Sequence, residues 1–583
     1  MRSVRSCCFV VLAGVAAVCA VLVASAAADR VTDAARRGDK AAVKQLLESG
    51  ADVNGATGDG MTALHWAAQN GAVDLAKMLL FAGANVRATT RLGGYTPLLM
   101  AASNGDAAMI QTLVDGGANP AAANSNGTTP LMLAAVSGRV DAVAVLIQRG
   151  ADVNAKEHAR GETALMFAAA NGRVEAIRVL TAHGGDVKAT TRVLDVSAFS
   201  KEMADAAGPP APRSATASGT IARDAQGSAP ASPRAGRAGR GANQRGGIDR
   251  RYLYNELVST EGGMTALLLA ARQGELESVK ALLDSGADIN QAGAGDHTTP
   301  LLIAAINGRF DLARFLLAHG ADPRIAAANG VTPLYAVINC RWAQKALYPQ
   351  PRAFEQQTTG YLDLMNVLLD KGADPNVRVR KKVWYSGYNS DFSSIDEEGA
   401  TVFWRAAYAA DVDAMKLLVA RGGDPNIPTS RVPGRNRNGG GLSDDPVEEV
   451  STKPPIPVGG PAMAAIHAAS GPGYGEGFAG NAHRYAPGGL LPAVKYLVEE
   501  LHADVNVEDQ DGNTPLHNAA ARGDNEMILY LVSKGADVKA VNREGKTTVD
   551  MANGPVQRVQ PFPETIALLE KLGAKNNHKC ISC

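Results

Sequence analysis

The sequence predicts an all-α solenoid of stacked helix-turn-helix repeats, joined by extended loops and interrupted by disordered or irregular insertions. A string of the type T-x-L-x-x-A-A begins at Thr62 and returns at Thr96, Thr129 and Thr163, in steps of 34, 33 and 34 residues. Each copy is followed by a second apolar run and then by a loop string such as G-A-D-V-N. Self-similarity at a fixed period of this length is typical of repeat proteins.

The first helix of each repeat is marked by the threonine that begins the string. A threonine side chain there accepts a hydrogen bond from a first-turn N–H that no carbonyl of the helix can satisfy. Where proline follows, as in TPLMLAA from Thr129, it occupies a first-turn position at which its missing N–H costs nothing. The string returns at Thr265, Thr299, Thr332 and Thr514, which extends the pattern over most of the chain.

The second helix of each repeat is amphipathic. In one copy the apolar residues follow the i, i+3, i+6, i+7 spacing of a single helix face, at Val140, Val143, Leu146 and Ile147. Gly150 then ends the helix, because glycine readily adopts the left-handed conformation that other residues avoid. Neither helix can bury its apolar face alone, so neighbouring repeats must stack around a continuous core.

These strings resemble those of the ankyrin-repeat family, whose signatures T-P-L-H-x-A-A-x-x-G and G-A-D-x-N both occur here. The resemblance covers about twelve repeats, some imperfect, between Asp29 and Lys575. It implies a scaffold that binds a protein through its loops, its concave helix surface and the variable pair that ends each first helix. Those pairs are Gln69 and Asn70, Ser103 and Asn104, Val136 and Ser137, Ala170 and Asn171, Arg272 and Gln273, and Ile306 and Asn307.

Histidine occupies one position of the string in three repeats, at His65, His467 and His517, where another repeat has Leu99. A metal ligand or catalytic base could not be exchanged for leucine and keep its role. We therefore interpret these histidines as helix-end hydrogen-bonding groups. Trp66 follows His65 and aligns with apolar residues, which predicts a core residue rather than a stacking platform.

Breaks in the period define the predicted domains. The linkers are rich in Ala, Gly, Pro, Ser and Arg, a composition that cannot build a core, so we expect disorder there and a division of the array in two. The ranges are a signal peptide at 1–28, a first array of about five repeats at 29–191, a linker at 192–261, repeats at 262–427 with aromatic insertions at 341–360 and 381–398, a flexible linker at 428–459, C-terminal repeats at 460–575 and a tail at 576–583.

The N-terminus has the pattern of an export signal. Arg2 and Arg5 precede a long uncharged run, and Ala26 with Ala28 gives the small-x-small pattern that a signal peptidase cuts. We therefore expect an exported protein, periplasmic or extracellular, that begins at Asp29. The apolar run approaches the roughly 20 residues that span a bilayer, so an uncleaved N-terminal membrane anchor is the alternative. Export and the bias toward Ala, Gly and Arg suggest a bacterial source.

The segment 341–398 interrupts the repeats twice and is unusually rich in aromatic residues. One interpretation is that these rings cover the exposed end of a distorted repeat. The other is a partner-binding finger, because rigid aromatics beside basic residues have the composition of an interface hot spot. The finger would contain Trp384, Tyr385, Tyr388 and Phe392, next to Arg378, Arg380, Lys381 and Lys382.

Three cysteines remain after the signal. Cys340 aligns with the pair residues Asn70 and Asn104, which predicts an exposed thiol. Cys580 and Cys583 form a C-x-x-C at the end of the chain, which suits a redox dithiol, a terminal disulfide or the start of the haem attachment motif C-x-x-C-H. Some exported bacterial ankyrin proteins look similar, with a haem-type motif after the repeats. We expect no cofactor, or covalent haem c if the reading frame continues past Cys583.

Composition and motifs narrow the function. Lys+Arg and Asp+Glu both total 58, so no basic excess is present to hold nucleic acid or an anionic membrane. No hydrolase or metalloprotease motif occurs, and we expect no enzyme and no metal site. The sequence predicts a monomeric protein-protein interaction scaffold. The alternative is the repeat-bearing docking region of a c-type haem or thiol redox protein whose C-x-x-C segment begins at Cys580.

Overall fold

The computed structural model describes residues 31–196, 198, 258, 260–343, 352–383, 395, 397–435, 442–443, 454–474, 483–554 and 560–579. These residues form pairs of short helices, with small two-stranded sheets as the other regular elements, which confirms the predicted all-α repeat architecture. Within the same residues, no helix combines the length and the apolar character needed to cross a membrane.

The helices follow one another in short antiparallel pairs. In chain order they are α1 (31–36), α2 (Lys40–Glu48), α3 (Ala63–Gln69), α4 (Val73–Phe81), α5 (Pro97–Asn104), α6 (Ala107–Asp115), α7 (Pro130–Ser137), α8 (Val140–Gln148), α9 (Ala164–Ala170), α10 (Val174–Ala182), α11 (Ala266–Gln273), α12 (Leu276–Asp284), α13 (Pro300–Ile306), α14 (Phe310–Ala318), α15 (Pro333–Arg341), α16 (Tyr361–Asp370), α17 (Val402–Tyr408), α18 (Val412–Ala420), α19 (Ala465–Ala469), α20 (Leu491–Lys495), α21 (Pro515–Ala521), α22 (Asn525–Ser533), α23 (Thr548–Ala552) and α24 (Pro563–Lys571).

Shorter elements accompany these helices. A 3-10 turn spans Ala353–Gln356, and a π-helical turn at Tyr496–Glu500 continues α20. The strands are β1 (Val193–Asp195), β2 (Thr260–Gly262), β3 (Gly434–Arg435) and β4 (Leu442–Ser443). β1 pairs with β2, and β3 pairs with β4 in antiparallel register.

The chain divides into two compact units. The first compact unit comprises Met1–Leu194, Gly262–Ile325 and Ala353–Gly360, and its described core is built from α1 to α14. The second compact unit comprises Asp195–Glu261, Ala326–Arg352 and Tyr361–Cys583, and it contains α15 to α24.

In the repeat of α7 and α8, the structure confirms the predicted helix ends and part of the predicted burial. The Thr129 hydroxyl accepts a hydrogen bond from the N–H of Met132 at 3.4 Å, with proline in the first turn. Gly150 has a φ of 88° and ends α8 as expected. Val143 and Leu146 are buried, whereas the predicted face residues Val140 and Ile147 are only half-buried. The core stripe of the second helix is therefore narrower than the sequence pattern indicated.

The loop string G-A-D-x-N has a structural purpose. The side chain of Asn154 donates from Nδ2 to the carbonyl of Gly184 at 2.9 Å and accepts at Oδ1 from the N–H of Asp186 at 2.8 Å. This asparagine therefore joins its loop to the loop of the next repeat. The same pair of bonds recurs at Asn54, Asn290, Asn376 and Asn506.

The segment 192–261 does not separate two arrays as the sequence suggested. α11 packs on α9 and α12 packs on α10, so the stack continues directly from one side of the segment to the other. Thr191 donates its N–H to the carbonyl of Met264 at 2.9 Å, and its hydroxyl accepts from the N–H of Met264 at 2.9 Å. The stack continues because each repeat needs a neighbour on both faces. Stacking across the insertion buries helix faces that a break in the array would expose.

Replacing residues 199–257 by a short Gly-Ser loop should therefore preserve the fold and stabilise it. Shortening the connection from about 60 to about 6 residues lowers the loop-closure entropy by about 2 kcal/mol. Urea unfolding followed by circular dichroism measures the change. A loss of stability, or a new separate transition for α1 to α10, would contradict stacking across this segment.

Candidate functional site

A cleft of about 700 Å³ crosses the ends of the first helices in the first compact unit. It spans three successive repeats, those of α3 and α4, α5 and α6, and α7 and α8. Its lining is polar and includes side chains from the predicted pairs. The lining residues are Gln69, Asn70, Gly71, Asn104, Gly105, Asp106, Ala107, Gly138, Arg139, Val140 and Asp141.

Glycines shape the floor of the cleft. Gly138 ends α7 with a φ of 74°, and a Cβ there would lie 2.7 Å from Cδ of Arg173 in the next repeat. A Cβ on Gly71 would similarly lie 3.1 Å from Oδ2 of Asp106. A side chain at either position would displace the facing side chain of the next repeat and partly fill the cleft.

Two members of the variable pairs that end the first helices also join successive repeats. Asn104 donates from Nδ2 to the carbonyl of Gln69 at 2.8 Å, and Asn70 donates to the carbonyl of Arg36 at 3.1 Å. Each amide thus ties its first helix to the preceding repeat. These asparagines therefore also stabilise the stack, because helix-end carbonyls need a donor.

The other pair residues are more available. Gln69, Ser103, Arg272 and Gln273 are exposed, whereas Val136, Ser137, Ala170, Ile306 and Asn307 are half-buried. Asn171 and Asn307 donate back to carbonyls of their own helices, at Phe167 and Ile303, both at 2.8 Å. Gln69, Ser103, Arg272 and Gln273 are therefore the better candidates for partner contact.

An apolar stripe, which we call the concave stripe, occupies one position of four successive first helices. It consists of Trp66, Met100, Leu133 and Phe167, all half-buried. The prediction that Trp66 is a core residue is therefore wrong: part of its ring is exposed, and the guanidinium of Arg36 lies 5.3 Å from the ring centroid. The repeats contained this signal, since the position varies in size from tryptophan to leucine while the two residues after it are alanine in each of these four repeats.

Charged groups around the cleft carry both signs. Arg139 and Asp141 are exposed in its lining, and the carboxylate of Asp106 caps α6 by accepting from the N–H of Met109 at 3.0 Å. The cleft therefore presents both positive and negative groups to a ligand, and neither sign of charge dominates.

The repeated histidines are structural, as predicted. His65 is fully buried, and its Nδ1 accepts a hydrogen bond from the N–H of Thr62 at 3.1 Å. Its Nε2 lies 3.0 Å from the carbonyl of Tyr95 in the next repeat, so the ring links the two repeats. Burial lowers the pKa of His65, which keeps the ring neutral. His467 makes the same two kinds of contact at the start of α19, and Nδ1 of His517 accepts the N–H of Thr514 at 3.1 Å at the start of α21. The Nε2 of His517 is buried and makes no hydrogen bond.

The aromatic finger lies outside the described residues, since Trp384, Tyr385, Tyr388 and Phe392 fall in 384–394. Their part in partner binding stays a prediction. Of the basic neighbours, Lys382 is buried and donates to the carbonyl of Ile395. Arg378 donates to the carbonyls of Gly399 and Pro428, both at 2.9 Å. These two cations hold loops together and do not form a free basic rim, which corrects that part of the hot-spot interpretation.

Described aromatic residues of the same segment pack internally. The indole of Trp342 is buried and donates to Oδ2 of Asp411 at 2.7 Å. The ring of Phe354 stacks on Phe310 with centroids 6.0 Å apart. These contacts agree with the interpretation that the aromatic rings of this part of the insertion cover a distorted repeat.

The thiol of Cys340 differs from the expectation. The residue is half-buried, and the apolar surroundings of the sulfur raise its pKa to about 12. A thiol with so high a pKa is a poor nucleophile at neutral pH. Cys580 and Cys583 lie outside the described residues, and their chemistry stays a prediction. In the portion of the chain that is described, no three His, Cys, Asp or Glu side chains are grouped so that they could hold a metal ion.

Comparison with protein families agrees with this geometry. A model of ankyrin repeats matches residues 31–90, 82–157, 98–192 and 267–379, and a second ankyrin-repeat model matches residues 496–552. Together the matched ranges cover more than half of the chain.

Similar proteins share the repeats. Protein phosphatase 1 regulatory subunit 12A of Rattus norvegicus is 35% identical over 95 residues, which is 16% of this chain and 8% of the relative. Protein phosphatase 1 regulatory subunit 27 of Mus musculus is 45% identical over 69 residues, 12% of this chain and 44% of the relative. Alpha-latrocrustotoxin-Lt1a of Latrodectus tredecimguttatus is 41% identical over 64 residues, 11% of this chain and 4% of the relative. The alignments thus span less than half of each relative.

Proposed function

The chain belongs to the ankyrin-repeat family, and from this premise we propose that it is a non-enzymatic, monomeric scaffold that binds a protein partner along the first compact unit. The observation that carries the proposal is the adjacency of the polar cleft and the concave stripe on the same first helices. Apolar anchors beside a polar, hydrogen-bonding rim are the composition of a protein interface. The regulatory subunits among the similar proteins carry the same repeats, which supports a partner of protein nature.

Changing the cleft should abolish partner capture without unfolding the protein. The double variant Gln69→Arg/Asp141→Arg places bulk and charge on two exposed lining residues, and we expect at least a 10-fold loss of captured partner. The melting temperature should change little, because exposed substitutions seldom cost more than about 0.5 kcal/mol. Affinity purification from the native cells, quantified by mass spectrometry, provides the measurement.

A matched control uses exposed residues outside the cleft. Phe81 is 96% exposed and Leu92 is 84% exposed, and neither lines the cleft. Phe81→Arg/Leu92→Arg should capture the same partner as the wild type. Equal losses in both double variants, or no loss in the cleft variant, would show that the partner binds elsewhere.

We also propose that the protein is exported and of bacterial origin. The support is the sequence of residues 1–28, in which a basic start, an apolar run and a small-x-small site follow one another. The intact mass of protein purified from its native cells should correspond to a chain that begins at Asp29. A mass that retains residues 1–28 would favour a membrane anchor and contradict signal cleavage.

A redox protein is the second candidate, supported by Cys580 and Cys583 alone. The same mass measurement, made with and without reduction, distinguishes the possibilities. A gain of two hydrogens on reduction would show a disulfide, and the added mass of covalent haem would show the redox candidate. If the mass neither changes on reduction nor includes haem, the redox candidate is excluded and the scaffold is the remaining candidate.

A further inference from the structure

The second compact unit carries a segment of its own chain on the surface that corresponds to the cleft. In the repeat strings, Tyr408 and Ala409 at the end of α17 stand at the positions of Gln69 and Asn70. Tyr408 and Ala409 are buried, whereas Gln69 and Asn70 are exposed. The covering element is residues 483–486, a segment without helix or strand between α19 and α20, which we call the strap.

The strap is held on α17 by ring stacking and hydrogen bonds. Nε2 of His483 lies 2.6 Å from the carbonyl of Tyr408, and the two rings stack with centroids 4.2 Å apart. Three residues further on, the N–H of Ala486 donates to the carbonyl of Ala409 at 2.8 Å. Arg405, at the stripe position of this helix, is also buried, and its guanidinium lies 5.5 Å from the ring centroid of Tyr408.

The contact from His483 replaces one that the cleft repeats make through an asparagine. In the cleft, Asn104 donates to the carbonyl of Gln69 in the preceding repeat. The repeat of α19 reads HAASGPG where the cleft repeat reads HWAAQNG, which places Pro472 at the asparagine position. Proline has no side-chain donor, so the histidine of the strap satisfies the carbonyl instead. The bond from Ala486 is different, because the cleft repeats provide no equivalent of it.

The cleft therefore contains a row of unused acceptors. Asn70, Asn104 and Ser137 stand at the position of Ala409 in three successive repeats, and none of the described residues donates a hydrogen bond to their carbonyls. Asn70 and Asn104 are exposed and line the cleft, and Ser137 directly precedes the lining residue Gly138. Carbonyls at a helix end that lack an intrahelical donor are satisfied by side chains, water or a ligand.

The spacing of this row matches an extended polypeptide. Packed neighbouring helices lie about 8–10 Å apart, and an extended chain advances about 3.1–3.4 Å per residue. Three residues of an extended segment thus span about one repeat. A polyproline II segment has three residues per turn, so its N–H groups at i, i+3 and i+6 point in the same direction. Such a segment can place one donor against each carbonyl of the row.

We propose that the cleft binds an extended peptide segment of the protein partner, whose backbone N–H groups donate to the carbonyls of Asn70, Asn104 and Ser137. The inference rests on the proposed function and specifies the form of the partner: at least seven residues, without proline at the first, fourth and seventh. The strap shows the same chemistry in one repeat of the second compact unit. A partner helix fits less well, because its N–H groups are used in its own hydrogen bonds.

Fluorescence anisotropy of the full chain tests the inference with a labelled, N-acetylated peptide of the strap sequence HRYAPGGL, residues 483–490. This peptide has a backbone N–H at its first, fourth and seventh residues. The wild type should bind it with a dissociation constant below about 1 mM. N-methylation of the alanine removes one donor and should weaken binding by about 10-fold. N-methylation of the tyrosine, which lies between donor positions, should leave the affinity nearly unchanged.

Protein variants locate the bound peptide. Gln69→Arg/Asp141→Arg should weaken peptide binding by at least about 10-fold, and Phe81→Arg/Leu92→Arg should bind like the wild type. The inference is overturned if the wild type does not bind the peptide below about 1 mM, if both methylated peptides bind equally well, or if the cleft variant binds like the wild type. Partner capture that still depends on the cleft, together with any of these results, would reject the extended segment and retain the proposed function.

Discussion

Lowering the pH from about 7 to about 5 should reduce the free energy of unfolding of the second compact unit by about 4 kcal/mol through His467 and His517. Both side chains are fully buried, and burial lowers the pKa of each to about 4. In the unfolded chain a histidine titrates at about 6.5 and takes up a proton first. The stabilisation is therefore complete above about pH 6.5 and is lost as the pH falls toward 4.

The chain itself supplies the matched substitution. In the repeat of α7, Met132 stands where the histidine stands elsewhere, and its Sδ accepts the N–H of Thr129 at 3.4 Å. His467→Met/His517→Met should therefore keep the helix caps. Between pH 7 and pH 5, its free energy of unfolding should fall by about 4 kcal/mol less than that of the wild type. At pH 7 the variant should be less stable than the wild type, because the carbonyls of Val507 and Asn513 lose their hydrogen-bonding contact with Nε2 of His467.

Urea unfolding at a series of pH values, followed by circular dichroism, gives the two curves. His483, which also has a lowered pKa, adds a change of the same sign to both proteins and cancels in the comparison. Parallel losses in wild type and variant would refute the assignment of the acid sensitivity to these two side chains.

Gly263→Ala should destabilise the first compact unit by about 3 kcal/mol or more. Gly263 has a φ of 69°, and a Cβ there would lie 2.5 Å from the nitrogen of Gly295 and 2.6 Å from the nitrogen of Ala294. Those atoms are backbone of the next loop, which is held to Gly263 by the hydrogen bond from Ala294 to its carbonyl at 3.0 Å. The loop cannot move aside without breaking that bond.

Gly286 separates the two causes of this loss. It has a φ of 87°, and a Cβ there would meet nothing within 4 Å. Gly286→Ala therefore carries only the cost of the left-handed conformation, about 1–2 kcal/mol. Thermal and urea unfolding of both variants should show a clearly larger loss for Gly263→Ala. Equal losses would mean that the close approach between successive loops does not exist in solution.

The repeat period made the fold predictable. Threonine caps, first-turn prolines and helix-ending glycines act through neighbours a few residues away, so the sequence at Thr129 or Gly150 is enough to locate a helix end. The glycine two residues before the threonine, as at Gly263, is harder to interpret from the sequence. It is required by a close contact with the backbone of the next repeat, about 30 residues away. The stack across 192–261 could not be predicted from composition, since it depends on which helix faces meet after the insertion.

The candidate site was only partly predictable. The variable pairs located the cleft, but the sequence could not separate Gln69, which is exposed, from Asn104, whose amide binds a carbonyl of the preceding repeat. The burial of Arg405 and His483 was missed, because their hydrogen-bond partners, Asn339 and Trp342 for Arg405 and the carbonyl of Tyr408 for His483, lie more than 60 residues away in the sequence. An arginine at a position that is elsewhere apolar was the available signal.

In-cell photo-cross-linking provides a direct test of whether a protein partner occupies the cleft of the first compact unit. The photoreactive residue p-benzoylphenylalanine is placed at Gln69, an exposed residue of the cleft, or at Phe81, an exposed residue outside it. A partner in the cleft should give a discrete cross-linked protein at Gln69 and none at Phe81. No adduct at Gln69, or the same adduct at both positions, would contradict it.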